Sequence, residues 1–237
     1  KVVFIMSIIQ AESKQSISSI PTGSGLHSGV PELLGYMPAR TVNFFWFLLA
    51  GVLLLFPLFL KAQKPADPLA TPEAKRLYAS LDRLSKTHTL FGHQDALAYG
   101  VGWKSVSGNS DVKIVTGDYP AVYGWDLGHL ELDSSRNLDG IPFTKMRDYI
   151  REGYDREAVI TISWHLRNPL NLKSAWDTTH GSVGAILPGG AKHELFKSWL
   201  DKVALFMQSL KGRDGKAIPV LFRPFHEFTG NWFWWCR

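Results

Sequence analysis

The feature that most constrains this chain is its alternation of short, unbroken apolar runs with segments of helical periodicity. We interpret four of the apolar runs as strands, over residues 89–95, 112–120, 158–165 and 218–222. Helical segments begin at Pro72, behind the N-cap residue Thr71, and at Pro142, and a third covers residues 194–211. Buried strands that alternate with helices are typical of parallel βα units, so the pattern predicts an α/β fold.

Polar residues gather where the predicted strands end. His93, Asp118 and His165 lie at the ends of the first three, and Glu227 follows the fourth beyond Pro224, which cannot donate to a strand ladder. A (β/α)8 barrel carries its catalytic groups on the loops at the carboxyl ends of its strands. We therefore expect these four polar residues to face one rim of such a barrel. An open doubly wound sheet has less support, because no Gly-x-Gly-x-x-Gly follows the first strand and no phosphate loop is present.

The composition is that of a globular protein, with 45% hydrophobic and 20% charged residues. The formal net charge is +5, but there is no long basic run or arginine stripe, so nucleic-acid binding is not expected. The single cysteine, Cys236, excludes an internal disulfide and a cysteine-rich zinc site. Aromatic residues make up 13% of the chain and include nine tryptophans, which suits a carbohydrate binder.

The first part of the chain is predicted to lie outside the folded domain. Residues 1–36 are rich in Ser and Gly without a sustained period, and we interpret them as unstructured or as a spurious upstream segment. Residues 37–62 have a basic start, an apolar stretch and Ala62 before a cleavage point, which predicts a secretory signal peptide. A proline-rich linker follows over residues 63–70.

A single membrane anchor is the alternative interpretation of the apolar stretch over residues 44–60. That stretch is slightly short for a span of about 20 residues, and Pro57 interrupts it. No cysteine comes directly after it, which argues against a lipid anchor. We therefore expect a secreted or periplasmic protein that meets the membrane only transiently, through the signal peptide.

The most informative stretch runs from residue 218 to residue 235. His226 and Glu227 follow the last predicted strand, and a run of aromatic residues comes directly after them. Aromatic rings can stack on the apolar faces of sugar rings, and they can exclude water around a carboxyl group, which raises its pKa so that it holds a proton to donate. The stretch therefore suits a sugar-cleaving site. The alternative is that Trp232 to Trp235 pack in the core beside an exposed strand end.

The segment Arg223-Pro-Phe-His-Glu-Phe-Thr-Gly-Asn-Trp-Phe-Trp-Trp235 resembles the acid/base segment of glycoside hydrolase family 26, which is best known for endo-β-1,4-mannanases. The resemblance covers roughly residues 69–235 and implies a (β/α)8 TIM barrel. A complete barrel takes about 250 residues, whereas only four strands are counted here. We therefore expect residues 71–237 to be the N-terminal part of a catalytic barrel, truncated after about the fourth strand.

The resemblance also implies a mechanism. Retaining glycosidases use two carboxyl groups about 5–5.5 Å apart, one as the proton donor and one as the nucleophile. Glu227 matches the proton donor, which later acts as general base. The nucleophile of such barrels is a glutamate at the end of the seventh strand, which this chain does not contain. Asp95, Asp118 and Asp126 are expected near the rim, but they do not match the family's nucleophile segment.

Further positions match the family residue by residue. The resemblance implies that His226 orients the catalytic centre, that Trp232 is a sugar-stacking platform and that His165 contacts the sugar next to the scissile bond. Trp176 resembles another ring of the substrate cleft, and His93 fits a supporting position behind the residues that touch the substrate. The structural alternatives are a strand-end hydrogen bond for His165 and loop packing for Trp176.

Other functions remain as alternatives. Histidines at strand ends are found in metal-dependent barrel hydrolases, but no His-x-His pair is present, so neither a metal nor another cofactor is expected. A non-catalytic carbohydrate-binding protein would share the aromatic residues without needing an acid. Some family relatives act on mixed-linkage glucan or β-1,3-xylan. The string after Glu227 resembles that of the mannanases, and the resemblance implies an endo-acting enzyme that cleaves mannan, galactomannan or glucomannan. We expect a monomer whose partner is this polysaccharide.

Overall fold

The computed structural model describes residues 65–236. The predicted upstream segment over 1–36, the signal peptide over 37–62 and the first residues of the linker lie outside the described residues. Among the residues that are described, no helix is long and apolar enough to cross a membrane.

Helices and strands alternate along the described chain. The α-helices are α1 (Pro72–Leu84), α2 (Asp111–Thr116), α3 (Phe143–Asp155), α4 (Ser182–Ile186) and α5 (His193–Ser209). The strands are β1 (Gly92–Gln94), β2 (Tyr99–Gly100), β3 (Trp103–Lys104), β4 (Val122–Asp126), β5 (Val159–Trp164) and β6 (Val220–Pro224). Short 3-10 helices cover Leu130–Leu132 and Trp234–Cys236.

Four of the strands form one parallel sheet, in the order β1-β4-β5-β6. β4 pairs with β5 from Val122 opposite Val159 to Asp126 opposite Ser163, and β5 pairs with β6 from Ile160 opposite Val220. Helix α3 connects β4 to β5, and α5 lies between β5 and β6 along the chain. The α/β class and the parallel sheet are as the sequence predicts, and the described residues supply four of the eight strands of a (β/α)8 barrel.

Helix α3 shows why the apolar period predicts a helix against a sheet. Phe143, Met146, Ile150 and Gly153 recur at helical spacing and are the buried residues of this helix. They pack into the same core as the apolar side chains of β4 and β5. The predicted helix start at Pro142 and its end near Gly153 are therefore confirmed to within a few residues.

Helices α1 and α5 match their sequence predictions less closely than α3 does. In α5 the apolar residues Trp199, Val203 and Phe206 are buried, and the helix ends at Ser209, two residues before the end of the predicted range at 211. In α1 the hydroxyl of Thr71 accepts a hydrogen bond from the Ala74 amide at 3.2 Å, which confirms the predicted N-cap. The predicted apolar face of α1, formed by Leu77, Leu81 and Leu84, is only half-buried.

The prediction of a strand over residues 112–120 is wrong. This segment contains α2, which ends at Gly117 with φ of 86°, and the second strand of the sheet is β4 instead. Asp118 therefore precedes its strand and lies at the opposite edge of the sheet from the predicted rim. Asp126, which was expected in a loop, is the last residue of β4 and takes the rim position.

Candidate active site

The carboxyl ends of the four parallel strands meet at one edge of the sheet and carry titratable side chains. Asp95 follows β1, Asp126 ends β4, His165 follows β5, and His226 and Glu227 follow β6. Parallel strands bring these ends together because their register is continuous across the sheet. Of the four polar residues predicted to share one rim, His165 and Glu227 lie at this edge, His93 lies within β1, and Asp126 takes the place expected for Asp118.

Asp126 and His165 form the best-defined contact at this rim. The Oδ2 atom of Asp126 lies 2.7 Å from Nδ1 of His165 and accepts a hydrogen bond from the hydroxyl of Ser163 at 2.6 Å. The Oδ1 atom accepts from the backbone amides of Gly128 at 2.7 Å and of His165 at 3.2 Å. Each carboxylate oxygen is thus held by two donors, which fixes the position of both residues.

The two histidines at the rim are joined directly. Nε2 of His226 lies 3.1 Å from Nε2 of His165. The His165 ring stacks on Trp176, with centroids 5.1 Å apart and planes inclined by 11°. Phe233 packs edge-on against His165 at 5.2 Å and tilted against His226 at 5.4 Å. The structure therefore brings together three residues singled out from the sequence: His165, His226 and Trp176.

The protonation states of Asp126 and His226 follow from their burial and their interactions with neighbouring groups. Burial acts to raise the pKa of Asp126, but the hydrogen bonds from His165, the Ser163 hydroxyl and the Gly128 amide hold that pKa below its ordinary value. Burial, together with the neighbouring His165, lowers the pKa of His226 to about 4. At neutral pH, Asp126 is therefore ionised and His226 is neutral.

Glu227 lies at the surface of this rim. Its backbone has φ of 55° in the left-handed region, and its carbonyl accepts a hydrogen bond from the Gly230 amide at 2.9 Å, so the chain turns sharply here. Oε2 of Glu227 accepts a hydrogen bond from Nε1 of Trp232 at 2.7 Å. The expectation that aromatic rings shield this carboxyl group from water is wrong for the described residues, because the side chain is exposed.

The aromatic run after Glu227 has two structural roles. Trp234 and Trp235 are buried, and their indoles donate to the backbone carbonyls of Leu166 at 3.1 Å and His226 at 2.9 Å. The alternative of core packing is therefore correct for these two rings. Trp232 differs from them, because 46% of its surface remains exposed beside the acid. Trp176 is exposed to 53%, so one face of the His165–Trp176 stack is open to a ligand.

His93 lies in β1, opposite Tyr123 of β4, and is half-buried. Its Nδ1 atom is buried and has no hydrogen-bond partner among the described residues. Its assignment to a supporting position stays a prediction.

Two carboxyl groups at the rim were not assigned a role from the sequence. Asp95 is buried and accepts a hydrogen bond from the Tyr99 hydroxyl at 3.0 Å. Burial and the nearby carboxylates of Asp139 and Asp126 raise the pKa of Asp95 to about 7, although the Tyr99 hydrogen bond opposes them. The pKa of Asp139 is raised too, by burial and by Asp126. The sequence signal for Asp95 is its place at the end of the first predicted strand, whereas Asp139 lies in a loop after the 3-10 helix and has no such signal.

No group of three or more His, Cys, Asp or Glu side chains in the described part of the chain is arranged to hold a metal ion. The rim combines an exposed carboxylic acid, a buried aspartate that is linked to two half-buried histidines, and exposed tryptophan faces. Such a set can position and protonate a polar ligand with flat apolar faces.

Parallel βα units with a carboxylic acid and tryptophan faces at the strand ends define the class of barrel glycosidases. Comparison with known families narrows this class. Residues 66–237 match the model of glycosyl hydrolase family 26, and the chain belongs to that family. The match overlaps the catalytic domain predicted over residues 71–237.

Individual relatives agree with the family match. The chain is 34% identical to a mannan endo-1,4-beta-mannosidase of Bifidobacterium adolescentis over 72% of this chain and 17% of the relative. It is 28% identical to a mannan endo-1,4-beta-mannosidase of Bacillus subtilis over 80% of this chain and 52% of the relative. Among solved structures, it resembles a GH26 beta-mannanase of Bacteroides ovatus, with 46% identity and a TM-score of 0.68 over 70% of this chain and 48% of that one. The chain thus spans about half or less of the length of these relatives.

Proposed function

We propose that the full-length protein is a retaining endo-β-1,4-mannanase in which Glu227 is the general acid and then the general base. The observation that carries this proposal is the position of Glu227, exposed just beyond the fourth parallel strand, with Nε1 of Trp232 bonded to its carboxyl group at 2.7 Å. Relatives named as mannan endo-1,4-beta-mannosidases support the reaction and the substrate class.

The chemistry requires Glu227 to reach the glycosidic oxygen. Its exposed side chain is accessible to a polysaccharide, and the Trp232 hydrogen bond restricts the directions in which the carboxyl group can point. Glu227 first donates a proton to the leaving oxygen and then deprotonates the water that hydrolyses the glycosyl-enzyme intermediate. The exposed faces of Trp176 and Trp232 offer stacking surfaces for the sugar units on either side of the reaction centre.

The second carboxyl group of a retaining pair is assigned to residues that follow this chain. The chain covers 48% of the Bacteroides ovatus structure and 52% of the Bacillus subtilis relative, which supports a catalytic domain that continues beyond residue 237. We assign no nucleophile to Asp95 or Asp126, since both are buried and Asp126 is already bonded by four donors.

The cellular setting follows from the predicted signal peptide over residues 37–62. β-Mannans are polymers too large to enter a cell, so an enzyme that cleaves them works best when it is secreted or periplasmic. We propose that the mature protein acts there as a monomer on mannan, galactomannan or glucomannan.

Glu227→Gln in the full-length protein tests the proposal. We expect turnover of β-mannan to fall by about 10²–10⁴-fold, the usual contribution of a positioned proton donor, while affinity electrophoresis shows retained mannan binding. Glu157→Gln is the matched control, because Glu157 is also exposed with a left-handed φ of 61° but precedes β5 at the opposite edge of the sheet. Near-normal turnover by the Glu227 variant would remove this residue from its assigned role.

The same assay separates the alternatives. Binding of mannan without turnover by the unmodified full-length protein would favour a non-catalytic carbohydrate-binding protein. Faster turnover of mixed-linkage glucan or β-1,3-xylan than of mannan would change the substrate while leaving Glu227 as the acid.

A further inference from the structure

The network behind Glu227 uses both ring nitrogens of His165. Nδ1 faces Oδ2 of Asp126 at 2.7 Å, and Nε2 faces Nε2 of His226 at 3.1 Å. A neutral imidazole has one N–H donor and one acceptor nitrogen. The ring of His165 therefore has both of its polar atoms occupied by protein groups, and Trp176 covers one of its faces.

The position of each proton follows from Asp126. An ionised carboxylate only accepts hydrogen bonds, so Nδ1 of His165 carries the proton that is shared with Oδ2. In the neutral ring of His165, Nε2 is then the acceptor, and His226 donates to it from Nε2–H. This leaves Nδ1 of His226 without a proton, and that atom is buried with no hydrogen-bond partner among the described residues.

We propose that Asp126 is a positioning residue that fixes the tautomer of His165 and, through it, the tautomer and ring orientation of His226 beside Glu227. In this arrangement His165 links Asp126 to His226 through its two ring nitrogens. The proposal rests on the proposed function, since it explains how the environment of the acid Glu227 is set.

A neutral His226 matters because it directly precedes the acid in the chain and interacts electrostatically with it. A positive charge at that position would favour the carboxylate form of Glu227, whereas a general acid has to reach the substrate with its proton. The indole of Trp235 bonded to the His226 carbonyl at 2.9 Å also holds the backbone there. Burial thus keeps His226 neutral, and the network fixes its tautomer and its ring orientation.

Asp126→Asn tests the proposal because it keeps the shape of the side chain and changes its hydrogen bonding. The backbone amides of Gly128 and His165 both donate to Oδ1 of Asp126. The side-chain oxygen of asparagine is therefore expected to occupy the Oδ1 position, where it can accept from both amides. The new NH₂ group then faces Ser163 and Nδ1 of His165. The Ser163 hydroxyl retains the Trp125 carbonyl as an acceptor, at 3.3 Å.

With an NH₂ group opposite Nδ1, His165 must move its proton to Nε2. His226 must then accept at Nε2 and carry its own proton on Nδ1, which lacks an acceptor in the described residues. Both histidines are therefore expected to exchange tautomers in this variant. Imidazole ¹⁵N chemical shifts of histidine-labelled full-length protein report the two tautomers directly, with signals assigned from single histidine variants.

We expect the unmodified protein to show Nδ1–H on His165 and Nε2–H on His226, and the Asp126→Asn variant to show the reverse. Its kcat on mannan should fall by about 10- to 100-fold with KM nearly unchanged, because the acid is misplaced while the sugar platforms remain. Asp118→Asn is the matched control. It removes an exposed carboxyl group at the opposite edge of the sheet, so both tautomers and kcat should stay as in the unmodified protein.

Nε2–H on His165 in the unmodified protein overturns the proposal, and this measurement does not depend on how well the variant folds. Unchanged tautomers or unchanged kcat in a folded Asp126→Asn variant overturn it as well. Failure of the proposed function has a different signature: the unmodified protein would not cleave mannan at all, while its ¹⁵N spectrum still reports whether Asp126 sets the two tautomers.

Discussion

Asp95 is the side chain whose burial is most at odds with its charge. It is 1% exposed, has a left-handed φ of 55°, and its pKa is raised from 3.8 to about 7, chiefly by burial. A carboxyl group with a raised pKa stabilises the folded state fully below its unfolded pKa, and that stability is lost as pH rises through the folded pKa. Asp95 therefore lowers the free energy of unfolding between about pH 4 and pH 7.

The variant Asp95→Asn should remove this loss. Asparagine keeps an oxygen that can accept from Tyr99, and it does not ionise. Relative to the unmodified full-length protein, we expect the variant to gain stability as pH rises from 4 to 7, by at most about 4 kcal/mol at about 1.4 kcal/mol per pKa unit. Denaturant unfolding at a series of pH values measures the difference. A stability difference that does not change with pH would show that Asp95 ionises normally in the fold.

The pH dependence caused by Asp95 can be isolated only by comparing the variant with the unmodified protein, because His226 also makes stability depend on pH. Its pKa is lowered to about 4, chiefly by burial, so it contributes stability above about pH 6.5 that is lost as pH falls towards 4. This slope opposes that of Asp95 over the same pH range, and the unmodified protein shows only their sum. The exposed Asp201 on α5 provides a control substitution that should leave the pH profile unchanged.

At the scale of secondary-structure elements, the sequence predicted the parts that rest on a long period. Helices α1, α3 and α5 and strands β5 and β6 fall within a few residues of their predicted ranges. The segment before β4 misled the prediction because Val112, Ile114 and Val115 are β-branched residues typical of strands. Gly117 at φ of 86° ends a short helix there, and β4 itself contains Gly124, which weakens the strand signal.

The site shows the same limit of sequence reasoning. The positions of His165, His226 and Glu227 after their strands follow from the apolar runs alone. The bond between Asp126 and His165 does not, because it depends on the register that sets Asp126 opposite Ser163. A shift of one residue would turn the Asp126 side chain to the other face of the sheet.

Measurements of the free energy of unfolding can test whether the segment before β4 is an exposed helix or a buried strand. Ile114 and Val115 are 66% and 83% exposed on α2, whereas Ile162 on β5 is fully buried. Val115→Lys should therefore change the free energy of unfolding by less than about 0.5 kcal/mol, and Ile162→Ala should cost about 2–5 kcal/mol. Denaturant unfolding of both full-length variants gives the comparison. A large loss with Val115→Lys would mean that this segment is a buried strand after all.

At the scale of the whole molecule, the sheet has two outer strands. Neither β1 nor β6 has a strand partner on its outer side among the described residues. Large exposed apolar side chains lie next to both: Phe91 precedes β1 and is 63% exposed, and Phe228 follows β6 and is 69% exposed. In a closed barrel the later strands pair with both of these strands, so no edge is left open.

The chain of 237 residues should therefore behave differently from the full-length protein when it is expressed alone. Unpaired strand edges and exposed apolar residues promote association, so we expect the isolated chain to aggregate. Since the proposed nucleophile lies beyond residue 237, we also expect that the isolated chain does not cleave β-mannan. Size-exclusion chromatography and a reducing-sugar assay, with the full-length protein as the control, measure both properties. Soluble, monomeric and active material from the isolated chain would contradict the assignment of the nucleophile to residues beyond 237. It would require the second carboxyl group to come from within this chain.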